Sequence, residues 1–287
     1  MKFEIPSSDY KIVEGLEARG DLSHRVHFIA NLNNSNQDSL TFFSGLNLER
    51  AALLEIGILL VDIRLKEQLF EFKSKCVVFC DLPKYRFTQV LSRFFTDSFD
   101  DIEATINLKI STKAFVEEGA FIGENTEIYP NASIFKATSL GKNCIVQSGS
   151  VIGGNGLGDV KFEGQYHRFT HLGKLEIADN VHIGCNVSVL RGMLEDTRIG
   201  SGTRIANNVN IGHNVVIEEN CYISSGVTIG GACVIKKNSW LSVGVTLSDH
   251  VEVGENSMIG TGAVLIKDAL PNSLYLGNPA RRVGDRK

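Results

Sequence analysis

Between residues 199 and 265 a large aliphatic side chain returns at every sixth position: Ile199, Ile205, Ile211, Ile217, Ile223, Ile229, Ile235, Leu241, Leu247, Val253, Ile259 and Leu265. That step matches neither the period of a helix, about 3.6, nor that of a long strand, about 2. An earlier block keeps the same step (Ile110, Val116, Ile122, Ile128, Ile134, Leu140, Val146, Ile152), and Ile177, Ile183 and Val189 lie between the two. Two residues before each aliphatic of the later block stands a small or β-branched residue, such as Thr203, Val209, Val215, Cys221 or Val227. Each unit therefore offers one large and one small residue at strand spacing, and then a turn of Gly, Asn, Asp or Glu. Three such units close a triangular coil. The chain is predicted to be mainly β, with a hexapeptide parallel β-helix over residues 106–268 whose stacked isoleucines form the core.

The register breaks twice. Residues 153–176, "GGNGLGDVKFEGQYHRFTHLGKLE", form a long excursion rich in glycine and aromatics, of the kind that in a compact domain carries function. The second break, "LRGMLEDTR", adds four residues between Val189 and Ile199 and should bulge one corner of a coil.

Before residue 106 the beat is absent. "DSLTFFSG", "GILLVDI" and "CVVFCDL" read as strands, while "LNLERAALLE" and "KYRFTQVLSRFF" have helical spacing. Residues 1–105 are thus a small α/β domain without a GxGxxG or GxxxxGK[ST] phosphate loop. Residues 269–287 read as a short basic tail carrying Arg281, Arg282, Arg286 and Lys287. The formal charge of −4 argues against a general attraction to nucleic acid or anionic membrane. The longest apolar patch, "AALLEIGILLVDI", contains Glu55 and is too short to span a bilayer, and the first residues carry no secretory signal, so a cytoplasmic protein is expected. Six cysteines without paired CxxC motifs argue for small buried thiols rather than zinc or a disulfide framework.

Of the seven histidines, His213 stands two positions after Ile211 and so belongs to an outward-facing corner. A zinc centre would need three convergent histidines; His167 and His171 are a pair, but they lie on the excursion, and no metal is expected. General-base catalysis is the alternative, since a neutral imidazole can take a proton from an attacking amine or hydroxyl. Gly231 lies eighteen residues beyond His213, one coil along, where its N–H could face the same groove as an oxyanion donor. The residues alone fit this chemistry or an exposed turn equally well.

The motifs "VIGGNGLG", "HLGKLEIADNVHIG", "LRGMLEDTRIG" and "IGHNVVI", together with "SLTFF", "ILLVDI" and "CVVFCDLPKYRFTQVL" in the first domain, resemble the lipid A UDP-3-O-acylglucosamine N-acyltransferase family, and through it the nucleotide-sugar N-acyltransferases of the hexapeptide-repeat superfamily. The resemblance runs over roughly residues 10–268. It implies that each coil winds left-handed and that His213 is the catalytic base. It also implies that Gly231 supplies the oxyanion N–H and that His250 is a second active-site histidine. It implies a homotrimer with sites between neighbouring prisms. It makes the first domain a candidate nucleotide-binding domain, with Phe42 as one aromatic of the base stack. Leu48 stands where the second aromatic belongs, and Ala206 where the family has the aspartate that orients the base. Asn207, Asn208, Asn210 and Asn214 are the candidates to substitute for that aspartate; Asn207, Asn214 and His171 are expected at the substrate. The ending "GNPARRVGDRK" resembles sugar acetyltransferases instead, with Arg281 and Arg282 expected to hold coenzyme A. The leading expectation is an N-acyltransferase that uses acyl-CoA as co-substrate, has no permanently bound cofactor, and acts on a nucleotide-linked amino sugar of a surface glycan such as an O-antigen. The alternatives are the lipid A enzyme itself, using acyl carrier protein, and a non-catalytic β-helix scaffold.

Overall fold

A computed structural model describes residues 17–43, 53–67, 71–94, 102–105 and 108–286, apart from residues 22 and 31. The chain divides into two compact units, Met1–Ser98 and Phe99–Lys287.

In the first unit, five strands run β1 (Glu17–Gly20), β2 (Phe28–Ile29), β3 (Ser39–Phe43), β4 (Ile58–Asp62) and β5 (Cys76–Cys80), followed by helix α1 (Pro83–Phe94). Their order in the sheet is β1-β5-β4-β3-β2, parallel except for β1. The three strands read from the apolar runs are the three central ones. Ile58, Leu59, Leu60 and Val61 are all buried, as central parallel strands covered on both faces require. Among the described side chains of α1, Phe87 and Val90 are buried against this sheet. The edge strands β1 and β2 have no comparable signal. Most of the helix expected at "LNLERAALLE", together with Leu48, lies outside the described residues.

The second unit is the repeat made solid. Ile205 pairs with Ile223, Ile211 with Ile229 and Ile217 with Ile235, all in parallel, so each coil takes eighteen residues and presents one short strand to each of three sheets. The first sheet contains His182–Ile183, Arg204–Ile205, Tyr222–Ile223 and Trp240–Leu241; the second contains Asn210–Ile211 and Thr228–Ile229; the third contains Val216–Ile217 and Val234–Ile235. Both residues of the six-residue beat point inward: Ile211, Ile217, Ile223 and Ile229 are at most 2 % exposed, and so are Val209, Val215, Cys221 and Val227. At about 25 cal/mol per Å² of apolar surface removed from water, this continuous stack is the main stabilising term. Burial pushes the Cys221 thiol up to about 11, and Cys76 and Cys80 likewise. These are packing thiols, not nucleophiles.

The corners explain the asparagines. Asn186, Asn208, Asn214, Asn220, Asn238 and Asn256 all have φ between 54° and 59°, the left-handed region that Asn tolerates better than most residues. Ala232 and His250 occupy the same turn position as Asn214, at φ 57° and 63°.

Residues 269–286 are not a free tail. Strand Ser273–Leu276 joins the first sheet beside Met258–Ile259 and pairs antiparallel with Arg281–Asp285, which makes a hairpin on the end of the prism.

Candidate active site

Both register breaks fall at the corner between the second and third sheets, and so does His213. The excursion leaves the second sheet after Val151–Gly154 and rejoins the third at Leu175–Ile177. The four-residue insertion separates Ser188–Leu190 from Thr197–Ile199, between the same two sheets, so that Ile177 pairs with Ile199, twenty-two residues on. His213 then sits in the turn between Asn210–Ile211 and Val216–Ile217, half-buried.

The insertion positions the histidine through Asn214. The Asn214 amide N–H₂ donates to the Glu195 carbonyl (2.7 Å), and its Oδ1 accepts from the Met193 N–H (3.2 Å). Its backbone N–H donates to Thr197 Oγ1 (2.8 Å). With Oδ1 fixed as the acceptor, His213 Nδ1, 2.9 Å away, must be the donor. The neutral ring then carries its proton on Nδ1 and leaves Nε2 as the basic atom. A side chain at Gly192 would collide with the Glu195 carbonyl, so this glycine lets the bulge tighten.

Gly231 lies against the other side of the ring. A methyl group there would come within 2.9 Å of His213 Cε1 and 3.0 Å of Nε2. Its N–H, the expected oxyanion donor, is bonded to Asp249 Oδ1 (2.6 Å). The same ladder, a side-chain oxygen accepting from the backbone of the coil below, recurs at other corners, for example from Lys174 N–H to Asp196 Oδ1 (2.7 Å).

His171, at the end of the excursion, packs beside His213 with ring centroids 6.3 Å apart and planes at 79°. The excursion thus folds back onto its own chain's corner. The Leu172 and Gly173 N–H groups reach the Met193 carbonyl (2.6 and 3.0 Å), and Arg191 Nε donates to the Gly173 carbonyl (2.7 Å), which ties excursion and insertion together.

The other expected residues lie elsewhere. His250 is on the same corner one coil beyond Gly231, exposed, with its backbone N–H on the Gly231 carbonyl (2.9 Å). Asn207 is in a turn between the first and second sheets, and its Oδ1 accepts from the Cys185 N–H (2.8 Å), a ladder contact. It borders a cleft of about 230 Å³ with Gln147, His182, Arg204 and Tyr222. There, burial and then the Arg204 charge hold His182 below the usual imidazole range. Ala206 belongs to that same turn, and the orienting part expected of a carboxylate there falls geometrically to Asn214. Phe42 is half-buried in the first unit, its ring 5.0 Å from Phe87. A cleft of about 470 Å³ in that unit lies beyond the carboxyl end of β4, at the start of α1, and is lined by Asp62, Arg64, Lys84, Tyr85 and Thr88, without Phe42. There Arg64 holds the Asp62 carboxyl down at about 2. Arg282 donates to Ser273 Oγ (2.9 Å) and pairs with Asp285, while Arg281, exposed, donates to the Ala280 carbonyl (2.9 Å). Among the described residues no cluster of metal-ligating side chains is present, and no helix is long and apolar enough to cross a membrane.

Residues 196–231 match the family of bacterial transferase hexapeptide (six repeats). A UDP-3-O-acylglucosamine N-acyltransferase of Pseudomonas syringae pv. tomato is 39% identical over 95 residues, which is 33% of this chain and 27% of that one. The enzyme of the same name from Polynucleobacter asymbioticus is 40% identical over 106 residues, 36% of this chain and 30% of its own. The aligned stretches are therefore much shorter than the near-complete resemblance read from the motifs, and span under a third of these relatives' length. Among solved structures, a UDP-N-acetylglucosamine acyltransferase from Bacteroides fragilis superposes with a TM-score of 0.53 at 26% identity, over 61% of this chain and 74% of that one. One from Campylobacter jejuni, at 22% identity and a TM-score of 0.50, covers 61% and 73% and shares the fold. Repeat, family match and fold together show that residues 196–231 are bacterial-transferase hexapeptide repeats, set in a β-helix similar to those of the acyltransferases just named.

Proposed function

We propose that the protein is an N-acyltransferase that moves an acyl group from a thioester to the amine of a nucleotide-linked amino sugar, with His213 as general base. The observation that carries this reading is the corner itself. Asn214 Oδ1 holds His213 Nδ1–H at 2.9 Å, which leaves Nε2 as the acceptor in a groove walled by Gly231. Such a base contributes about 10²–10⁴ in rate. An oriented imidazole with Nε2 free fits proton transfer from an attacking nucleophile, and a side chain held this specifically fits a scaffold poorly.

The names of the curated relatives favour UDP-3-O-acylglucosamine as acceptor, over the O-antigen-type amino sugar that the sequence first suggested. That second acceptor, with acyl-CoA as donor, is supported by the hairpin at the prism end, where exposed Arg281 offers a guanidinium suited to a phosphate. Gly231 N–H serves an oxyanion once the Asp249 carboxylate turns away from it. His250, exposed one coil further along the same corner, is placed to meet the sugar or the acyl carbonyl. In the first unit, Phe42 and the cleft at Arg64 and Tyr85 are the candidate places for a nucleotide base.

The test offers matched acyl-CoA and acyl-carrier-protein thioesters with UDP-3-O-acylglucosamine and a panel of UDP- and dTDP-linked amino sugars, and follows thiol release. Transfer to the 3-O-acylated sugar from carrier protein selects the lipid A reaction. A specificity constant at least tenfold higher with acyl-CoA and an unacylated amino sugar selects the second reading.

A trimer with three equivalent sites is part of the proposal. It is supported by the exposed apolar side chains of the excursion, Leu157 (83%), Phe162 (63%) and Tyr166 (70%), which want a partner surface. Light scattering at micromolar concentration should give three chains per particle; a monomer would contradict it.

A further inference from the structure

His171 is only 7% exposed, and its Nε2 has no hydrogen-bond partner. Its Nδ1 lies 3.2 Å from the Phe169 carbonyl, which can only accept, so Nδ1 carries the proton and Nε2 is a bare acceptor in the neutral ring. A buried acceptor left unpaired is costly, and such atoms in native proteins call for an explanation. The geometry supplies one. A methyl group on Gly156 would come within 3.4 Å of both His171 Nε2 and His213 Cδ2, the ring atom next to Nε2, and within 3.2 Å of Leu190 Cδ1. Gly156, on the excursion, therefore stands against both the unpartnered nitrogen of one histidine and the basic edge of the other, and the excursion must shift there for a substrate atom to reach His171 Nε2.

We propose that His171 Nε2 is a second acceptor for the nucleophile, and that the His171–His213 pair selects a primary amine over a hydroxyl. This rests on the acyl-transfer reading of the same corner. A primary amine brings two N–H groups. As its lone pair forms the C–N bond to the thioester carbonyl, the C=O π pair moves to oxygen and one N–H proton passes to His213 Nε2. On collapse the C–S bond breaks, and the leaving thiolate takes that proton. The second N–H stays on nitrogen from amine to amide and can remain on His171 Nε2 throughout. A hydroxyl has one hydrogen, spends it on His213, and leaves His171 unpaired. Leaving a buried polar group unsatisfied discriminates strongly between otherwise matched substrates.

The experiment compares kcat/KM for UDP-3-O-acylglucosamine and for the same molecule with a hydroxyl in place of the amine, in wild type, His171→Leu, His171→Gln and Gly156→Ala, with melting curves as a folding control. In His171→Leu the preference for the amine should fall by about 10- to 100-fold. In His171→Gln, whose amide can still accept, it should be largely kept. Gly156→Ala, which adds a methyl against both rings without touching either ring's own bonds, should lower transfer to the amine while melting like wild type. Should His171→Leu fold and keep the wild-type amine preference, the assignment is wrong while acyl transfer stands. Absence of transfer by the wild type to every acceptor overturns the acyl-transfer reading, and this assignment with it.

Discussion

Replacing His213 by asparagine should lower kcat by about 10²–10⁴ and leave the fold intact. The ring stands at a half-buried corner outside the stacked core, so its loss opens no cavity among the isoleucines. Asparagine can still offer a hydrogen bond to Asn214, but it cannot take a proton. The loss should therefore appear in kcat under saturating substrates rather than in the Michaelis constant alone. Melting should move little, because the turn's backbone bond from Ala232 N–H to the residue 213 carbonyl (2.8 Å) does not depend on the side chain. Wild-type turnover in His213→Asn at saturation would remove general-base catalysis from this corner.

Gly231→Ala is expected to cost nearly as much, about 10²-fold in kcat, by a different route. Its backbone lies outside the left-handed region, so alanine meets no conformational penalty there. The new methyl would stand 2.9 Å from His213 Cε1 and 3.0 Å from Nε2, closer than carbon and nitrogen approach without repulsion. The ring has little room to yield, because Asn214 is itself clamped by Glu195, Met193 and Thr197. It must leave its bond to Asn214 Oδ1 or tilt Nε2 away from the groove, and a misplacement of about 1 Å can cost 10²-fold. The measurement pairs kcat with histidine NMR, in which the His213 ring signals should shift. A Gly231→Ala enzyme with wild-type kcat would mean that the ring's position against Gly231 has no catalytic weight.

The β-helix was legible because every coil imposes the same demand at the same interval. Ile205, Ile223 and Leu241 answer one strand position, and the corner asparagines answer one φ, so a single chain displays the rule many times. His213 was legible for the same reason, as a departure from that rule at a corner. What held it was not. Asn214 was one of four candidate asparagines, and what distinguishes it is a bulge nineteen and twenty-one residues earlier that supplies Glu195 and Met193. The inserted length was visible in the sequence, but not the direction in which its carbonyls point. Gly231 fell on the right coil, yet its N–H is taken by Asp249, in register one coil further on; the ladder that pairs them is a side-chain rotamer, which periodicity does not set. The resemblance puts His171 at the substrate, but its contacts cannot be read from the sequence, because an excursion of this length has no beat to fix where its end returns. In the first unit the strong apolar runs gave β3, β4 and β5, while the side-chain environment of Phe42 depends on α1 crossing the sheet and packing Phe87 on its ring.

In the proposed reaction this corner makes an amide from a thioester and a sugar amine. Mass spectrometry of the sugar product, read beside thiol release in the same reaction, tests it most directly. One acyl group should be gained per thiol released, resistant to mild base as an amide is and an ester is not, and absent with His213→Asn. Thiol released by the wild type without an acylated sugar, or an acylated sugar formed equally well by His213→Asn, would contradict it.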